Sequence, residues 1–489
     1  MPEDGWTDEF PPLDPPAGAP TLLPDPLDPP GWNGPITRPR PPVPERPPIP
    51  FPPDGLPLPP EERPLTWLER LARWWESLSL TWKVISVVIV VGIIVWAIVI
   101  WYRSETPGDE DLPPQVAPIA IRFNWDETST LDALNIRRNA TTEVELPEWT
   151  LGETDPDESP AAYAIDAVHD QVIRIKVQLM LIPPIDAVVN VRALGGGVLG
   201  EATRTEPVHF TQGWTFPEFI DFDLRNHHIG ADGVRCEDID WQWQFQLLGE
   251  SAWHDIGTTS HRIYVVLATP PLAWLQSPFP HKRNPWTEVL DYSCAWAEGA
   301  KTAAEAAKLI THVVNRPVAG IKYDMENGGK GHFTDDASFR CTAFLDRLRR
   351  GPASSSPALV NCSDCAAIVS TFANVLGCNL DQSKMCDQSP NGDVFHLNKI
   401  IAIGYTDFGF PLWGDWFGYH EVAWQGGTAS DPVWDACLQT NANGPNQPLV
   451  PVLPVESVFS NPYRRQLVRP SDIGRCQPDH ETTWRREVD

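Results

Sequence analysis

No cysteine occurs before Cys236, although the 489 residues include nine of them, so any thiol chemistry or crosslinking is confined to the C-terminal half. Cations are also scarce. Lys and Arg total 37 against 65 Asp and Glu, which gives a formal net charge of −28 and a pI near 4.7. Such a chain repels phosphate backbones, which argues against nucleic acid as a partner. Internal repeats are absent as well. Proline, by contrast, is abundant: 53 residues is about double the usual share. Hydrophobic residues make up 42%, enough for most of the chain to fold around real cores.

The prolines concentrate in residues 1–64, as in PPVPERPPIPFPPDGLPLPP, where acidic residues dominate the start and apolar periodicity is missing. A segment of that kind cannot bury enough surface to offset its chain entropy, so a disordered or polyproline-II tail is expected. It is a spacer, or a ligand for a domain that reads polyproline II. Residues 65–82, LTWLERLARWWESLSLTW, open with a Thr66/Glu69 capping box and place Leu68, Leu71, Trp75 and Leu78 on one face. This pattern predicts an amphipathic juxtamembrane helix.

Between Lys83 and Arg103 stand nineteen residues without a charge, VISVVIVVGIIVWAIVIWY. At about 1.5 Å per residue they nearly cross a hydrocarbon core of roughly 30 Å, with Trp82, Trp101 and Tyr102 at the interfaces. Residues 83–103 therefore predict a single transmembrane helix. Arg63, Arg70, Arg73 and Lys83 precede it, whereas SETPGDEDL follows Arg103 and the next cation is Arg122. The expected topology is a cytoplasmic N-terminus with everything after the span outside.

From 115 to 268 the pattern alternates with period two, in VIRIKVQLMLI (172–182), VVNVRAL (188–194), WQWQFQLL (241–248) and HRIYVVLA (261–268). Short strands with no helical pattern between them predict an all-β sandwich domain. The pattern then turns helical. TAAEAAKLITHVVN opens with a Thr302/Glu305 capping box, and DDASFRCTAFLDRLRR spaces Phe339, Leu345 and Leu348 for a core. Later come HLNKIIAIGY and GYHEVAW, which read as strands, so 271–440 is an α+β domain. Residues 441–489 read as an irregular polar tail, with PNQPLVPVLP as a tether.

The stretch NCSDCAAIVSTFANVLGC, 361–378, carries a CxxC where an apolar helix begins. A redox pair at a helix N-terminus is one reading, but it needs a parallel sheet before the motif, and RRGPASSSPALV offers only three apolar residues. A zinc site completed by Cys378 and Cys386 is another. There the intervening helix spreads the sulfurs too far for one tetrahedral centre. A nucleophile requires a base and an orienting group. His420 in GYHEVAW and Asp435 in VWDACL lie fifteen residues apart on segments that alternate like neighbouring strands, and can supply both.

In that order these motifs resemble the transglutaminase-like superfamily, papain-like thiol enzymes whose core runs Cys helix, His strand, Asp strand. The family pattern is Cys, a small residue, Asp, an aromatic, Ala, with the helix closing on Gly fifteen residues after the Cys. Here stand Cys362, Ser363, Asp364, Cys365 in the aromatic slot, Ala366 and Gly377. IIAIGY is similar to the strand that follows, and His420, Trp434 and Asp435 fill the later places. The resemblance covers roughly 285–440. It departs at Val422, where Trp is usual, and at Ala436, where Pro follows the Asp.

The resemblance implies Cys362 as nucleophile, His420 as the proton donor to the leaving amine, Asp435 as the group orienting the ring, and no cofactor. It implies a peptide or protein substrate whose amide bond is hydrolysed or whose acyl group is transferred. Trp413 and Trp416 in LWGDWFGYH are candidates to line an acyl groove. The eight cysteines other than Cys362 allow up to four disulfides outside the cell. A local Cys362–Cys365 disulfide would silence the site until reduced. Two alternatives remain open: a membrane-anchored scaffold or adhesion protein with an inactive domain of this type, and a thiol oxidoreductase using Cys362 with Cys365 as redox partner.

Overall fold

The computed structural model describes residues 114–489 apart from 126–130, 169–170, 216, 226–228, 272–283, 317–319, 328, 352–356, 387–393, 407–413, 427, 429, 441–461 and 479–484. The expected proline-rich tail, juxtamembrane helix and transmembrane helix lie outside the described residues. Among the described residues no helix is long and apolar enough to cross a membrane. Residues 110–489 form one compact unit of mixed α/β structure.

Eleven strands make one large sheet: β1 (Gln115–Arg122), β2 (Trp149–Thr150), β3 (Pro160–Ala164), β4 (Arg174–Ile182), β5 (Ala187–Gly195), β6 (Ala202–Thr203), β7 (Val208–Thr211), β8 (Trp214–Thr215), β9 (Ile220–Leu224), β10 (Arg235–Leu247) and β11 (His254–Val266). The alternation read from the sequence is real. In β4 every second side chain, from Ile175 to Leu181, is buried, as period-two apolar patterning requires of a half-buried strand. The sandwich expected from that pattern is one hydrogen-bonded sheet that closes on itself. β4 reaches β5 along two routes, through β8 and β7 and through β9 and β6.

Inside it, Trp241 and Trp243 of β10 are fully buried. Each indole N–H finds an acceptor, Gly200 O at 2.8 Å and Thr259 Oγ1 at 3.0 Å, so their large apolar area is buried with no donor left unpaired. Gly196 makes room for the first. At φ +80° a Cβ there would stand 2.0 Å from Trp241 Nε1, and only glycine fits both the dihedral and the contact.

The helices α1 (Thr287–Trp296), α2 (Ala303–Asn315), α3 (Cys341–Arg349) and α4 (Cys362–Asn374) follow, interleaved with short strands. The α2 capping box forms as read, with Thr302 and Glu305 bonding reciprocally. The second predicted helix starts later than its sequence pattern. Asp335 Oδ1 takes the N–H groups of Ala337 and Ser338 at 2.9 and 2.7 Å, and this turn diverts DDASFR from helix. The strand β13 (Ser338–Phe339) follows it.

All thirteen residues of α4 are buried, so this helix is the centre of the second core. One side lies on the sheet β20 (Val433–Trp434), β19 (Tyr419–Trp424), β15 (Asp381–Cys386) and β22 (Gln477–Pro478), joined in that order. Its C-terminal end closes at Gly377, φ +89°, where a Cβ would come 2.5 Å from Ala268 O. The N–H groups of Leu267 and Ala268 donate to Leu376 O. The helix that starts at Cys362 is thereby pinned to the strand end of the large sheet.

Two expectations are revised by tertiary contacts. HLNKIIAIGY is broken into β16 (Phe395–His396) and β17 (Ile400–Ala402), because Asn398 between them turns its amide onto the carbonyls of Arg465, Gln466 and Val468. The C-terminal segment is more than an irregular tail. It supplies α5 (Pro462–Leu467), β22 against β15, and β23 (Glu487–Val488) against β13. The tether sequence itself falls among the residues not described.

Candidate active site

The helix α4 begins where the sequence reading put it, and the cause is local. Asn361 is its N-cap: Asn361 Oδ1 accepts from Asp364 N at 2.9 Å, and Asp364 Oδ2 accepts from Asn361 N at 3.1 Å. This reciprocal box satisfies two of the helix's orphan donors. The three-residue apolar run before it is a strand, β14 (Ala358–Val360), paired in parallel with β12 (Ile321–Tyr323). Cys362 therefore sits at the first position of a helix that springs from a strand end. Its own N–H has no acceptor within the helix.

Asp364 does more than cap. Its carboxylate also accepts from His332 N, Phe333 N and Thr334 Oγ1 at 2.8, 2.9 and 2.7 Å. The loop over the helix start is thus tied to the helix itself. Asn361 Nδ2 adds a bond to Gly329 O at 3.0 Å. On the other side Ser363 Oγ donates to Glu421 Oε2 at 2.7 Å.

Strand β19 carries His420, fully buried. β19 pairs antiparallel with β20 through Ala423–Trp434 and Trp424–Val433, and this hairpin delivers Asp435 immediately after β20. His420 Nε2 donates to Asp435 Oδ2 at 2.9 Å. The other oxygen, Oδ1, is held by Cys437 N at 2.8 Å and Leu438 N at 3.2 Å. Phe417 lies flat on the imidazole, with centroids 5.3 Å apart and planes 12° off parallel.

Burial opposes a charged imidazole, yet the charge and hydrogen bond of Asp435, with the nearby Cys362 sulfur in support, push the His420 pKa up to about 10. Nε2 is committed to the carboxylate. Nδ1 is buried with no hydrogen-bond partner among the described residues, and Cys362 lies close enough to influence the ring. The three residues singled out from the sequence are therefore brought together in the order Cys362, His420, Asp435.

The CxxC is divided. Cys362 lies by His420, whereas Cys365, one turn on, lies by the Cys437 thiol, and burial pushes the Cys365 thiol up. All nine cysteines are free thiols in the structure. Among the described residues no group of His, Cys, Asp and Glu has the geometry of a metal site. Trp416 is partly exposed on β18 (Trp416–Phe417), paired with β16, and Trp413 lies outside the described residues.

Several site residues are invisible to sequence reasoning. Tyr463 of α5 donates its hydroxyl to Asp435 Oδ2 at 2.5 Å, and Arg486 forms a buried ion pair with Glu421. Tyr419, exposed beside the site, has its hydroxyl 3.5 Å from Ser363 Oγ. The Cys362 sulfur is the largest influence raising its phenol, ahead of burial. Tyr323, at the end of β12, is raised by burial first and then by Cys362, Cys437 and Cys365. Glu421 alone left a readable signal, a charge inside the apolar run YHEVAW.

No family model matches the sequence, and no curated protein does. Among solved structures, that of red sea bream transglutaminase is similar over 52% of this chain, at 10% identity and a TM-score of 0.28. The similarity takes in 45% of that chain, so the matched region spans less than half of the neighbour's length.

Proposed function

We propose that the chain is a membrane-anchored thiol enzyme of the transglutaminase-like kind, acting on amide bonds of peptides or proteins through Cys362, His420 and Asp435. One observation carries the reading: a fully buried imidazole fixed by one nitrogen on a carboxylate, beside a cysteine at a helix start. The Cys362 sulfur attacks the amide carbonyl carbon and forms a tetrahedral oxyanion. As the C–N bond breaks, His420 passes its proton to the leaving amine, and Asp435 keeps the ring oriented. The acyl group now rests on sulfur as a thioester. Water completes hydrolysis and a substrate amine completes crosslinking, and either returns the thiol. The Cys362 N–H, which has no acceptor within its helix, is proposed as a donor to the oxyanion. Trp416, with Trp413, is proposed to border the acyl side.

The span at 83–103 and its charge flanks support a single crossing with a cytoplasmic proline-rich tail, open to a domain that reads polyproline II, and with residues 115–489 outside. An alkylating reagent that does not cross membranes, reaching Cys236 in intact cells, tests that topology. Labelling of Cys236 only after lysis would reverse it.

Two rivals make other predictions. A disulfide oxidoreductase requires the two CxxC sulfurs to face one another, and the partition of Cys362 toward His420 and Cys365 toward Cys437 speaks against it. An inactive scaffold is favoured by one observation, that Cys362 is only 6% exposed. Iodoacetamide labelling of the full chain from pH 5 to 9, with peptide mapping, separates the readings. Fast labelling of Cys362 alone, lost in His420→Ala, is expected. Equal slow labelling of several thiols would leave the scaffold.

A further inference from the structure

We propose that Tyr463 is a positioning residue of this site: by sharing Asp435 Oδ2 with the imidazole, its hydroxyl sets how tightly the carboxylate holds the proton on His420. The inference rests on the thiol-enzyme reading and adds to it a group from a segment that carries none of the three site residues.

The geometry is convergent. Tyr463 O–H reaches Asp435 Oδ2 at 2.5 Å, and His420 Nε2 reaches the same oxygen at 2.9 Å. Oδ1 is occupied by two backbone N–H groups. The carboxylate thus has four donors, and one of them is the catalytic ring. Tyr463 is buried and is delivered by α5. That short helix is held from outside by the Asn398 amide on the carbonyls of Arg465 and Gln466 and of Val468 just past its end, and by Arg464 Nη1 on Cys476 O at 3.0 Å. A phenol held this way does not need to be ordered by substrate.

Among the described residues the other titratable groups facing the pair are thiols and phenols, with Tyr419 beside Cys362. Cys362 and Cys365 come from α4, Cys437 follows Asp435, Tyr323 ends β12, and Cys476 stands behind Tyr463. Burial raises the Tyr463 phenol well above its ordinary value, and the neighbouring Asp435 charge adds to this, so it remains a donor.

A donor on Asp435 stabilises the carboxylate most when the imidazole is neutral and the pair carries a full negative charge. Once the imidazole is protonated, its own charge offsets that of the carboxylate and the phenol gains less. Tyr463 therefore eases the release of the His420 proton to a leaving amine. Without it, the ring holds that proton more firmly.

The test is the rate of Cys362 carboxamidomethylation in the full chain across pH 7 to 11, site by site, for wild type, Tyr463→Phe, Asp435→Asn and the double variant. In Tyr463→Phe the upper limb is expected to rise by about half a pH unit or more, and in the Asp435→Asn background Tyr463→Phe adds no shift. A 3-fluorotyrosine at 463, isosteric and a stronger donor, is expected to move the limb down, and it serves if the phenylalanine variant does not fold. Superimposable profiles, or an equal shift without the Asp435 carboxylate, overturn the positioning role and leave the thiol enzyme standing. A wild type whose Cys362 reacts no faster than the other thiols removes both.

Discussion

Glu421 and Arg486 form an ion pair that is almost wholly withdrawn from water, immediately behind the start of the helix that begins at Cys362. Glu421 also takes the Ser363 hydroxyl, and Arg486 reaches Gln382 Oε1 at 2.6 Å and Asp335 O at 2.7 Å. A buried pair of this sort contributes less than its contact suggests, because both ions lose hydration, whereas breaking it strands a charge. Arg486→Met is accordingly expected to lower unfolding free energy by about 3–5 kcal/mol in urea titration. Arg486→Met combined with Glu421→Leu should recover most of that loss. A single variant as stable as wild type would contradict the arrangement.

The two sulfurs of the CxxC should separate cleanly in mutagenesis. Cys362→Ser is expected to abolish turnover, since a hydroxyl at that place lacks the nucleophilicity of sulfur. Cys365→Ala should leave alkylation of Cys362 within about twofold of wild type, because its neighbour is the Cys437 thiol rather than the imidazole. An oxidoreductase would lose its activity in both variants.

His420 predicts an alkaline loss of stability. Its pKa is raised from 6.5 to about 10 in the folded chain by Asp435, against burial. The folded state then binds more protons than the unfolded state between those values. The contribution is complete below about pH 6.5 and disappears as pH climbs through about 10, at a slope of about 1.4 kcal/mol per pH unit. Urea midpoints measured from pH 6 to 10 should show this decline in wild type and a flatter profile in Asp435→Asn.

Within the large sheet two buried groups oppose each other in acid. His261 is hydrogen-bonded to Ser159 Oγ at 2.5 Å and Thr259 Oγ1 at 2.8 Å, and burial lowers its pKa to about 3. Stability from this group therefore falls as pH drops from 6.5 toward 3. Glu148 behaves in reverse: burial raises it to about 7, against the N–H groups of Phe123 and Asn124 at 3.0 and 2.8 Å. Its contribution falls as pH rises from 4.5 toward 7. The two slopes cancel between pH 4.5 and 6.5. His261→Phe should expose a decline with rising pH there, and Glu148→Gln a rise, in denaturant titrations at fixed pH.

What the sequence revealed follows from how local each signal is. Cys362 was legible because Asn361 and Asp364 write a capping box within four residues. His420 and Asp435 were legible because a hairpin keeps them fifteen residues apart. The Asp335 turn was available in DDAS but was outweighed by the helical spacing that follows. Closure of the large sheet was not legible, since strand alternation fixes which face is buried and says nothing of which strand is neighbour to which. Tyr463 and Arg486 were hidden for the same reason. NPYRRQL has no period, and the bond from Tyr463 to Asp435 spans 28 residues.

A site whose last supports come from Tyr463 and Arg486 also has a schedule. Synthesis proceeds from the N-terminus at roughly 5–20 residues per second, and Cys362, His420 and Asp435 leave the ribosome well before Arg486 is even made. During that interval Glu421 has no cation and Asp435 lacks its phenol. The nascent chain therefore carries Cys362, His420 and Asp435 in an unfinished pocket, which is completed only when the segment holding Tyr463 and Arg486 has been made.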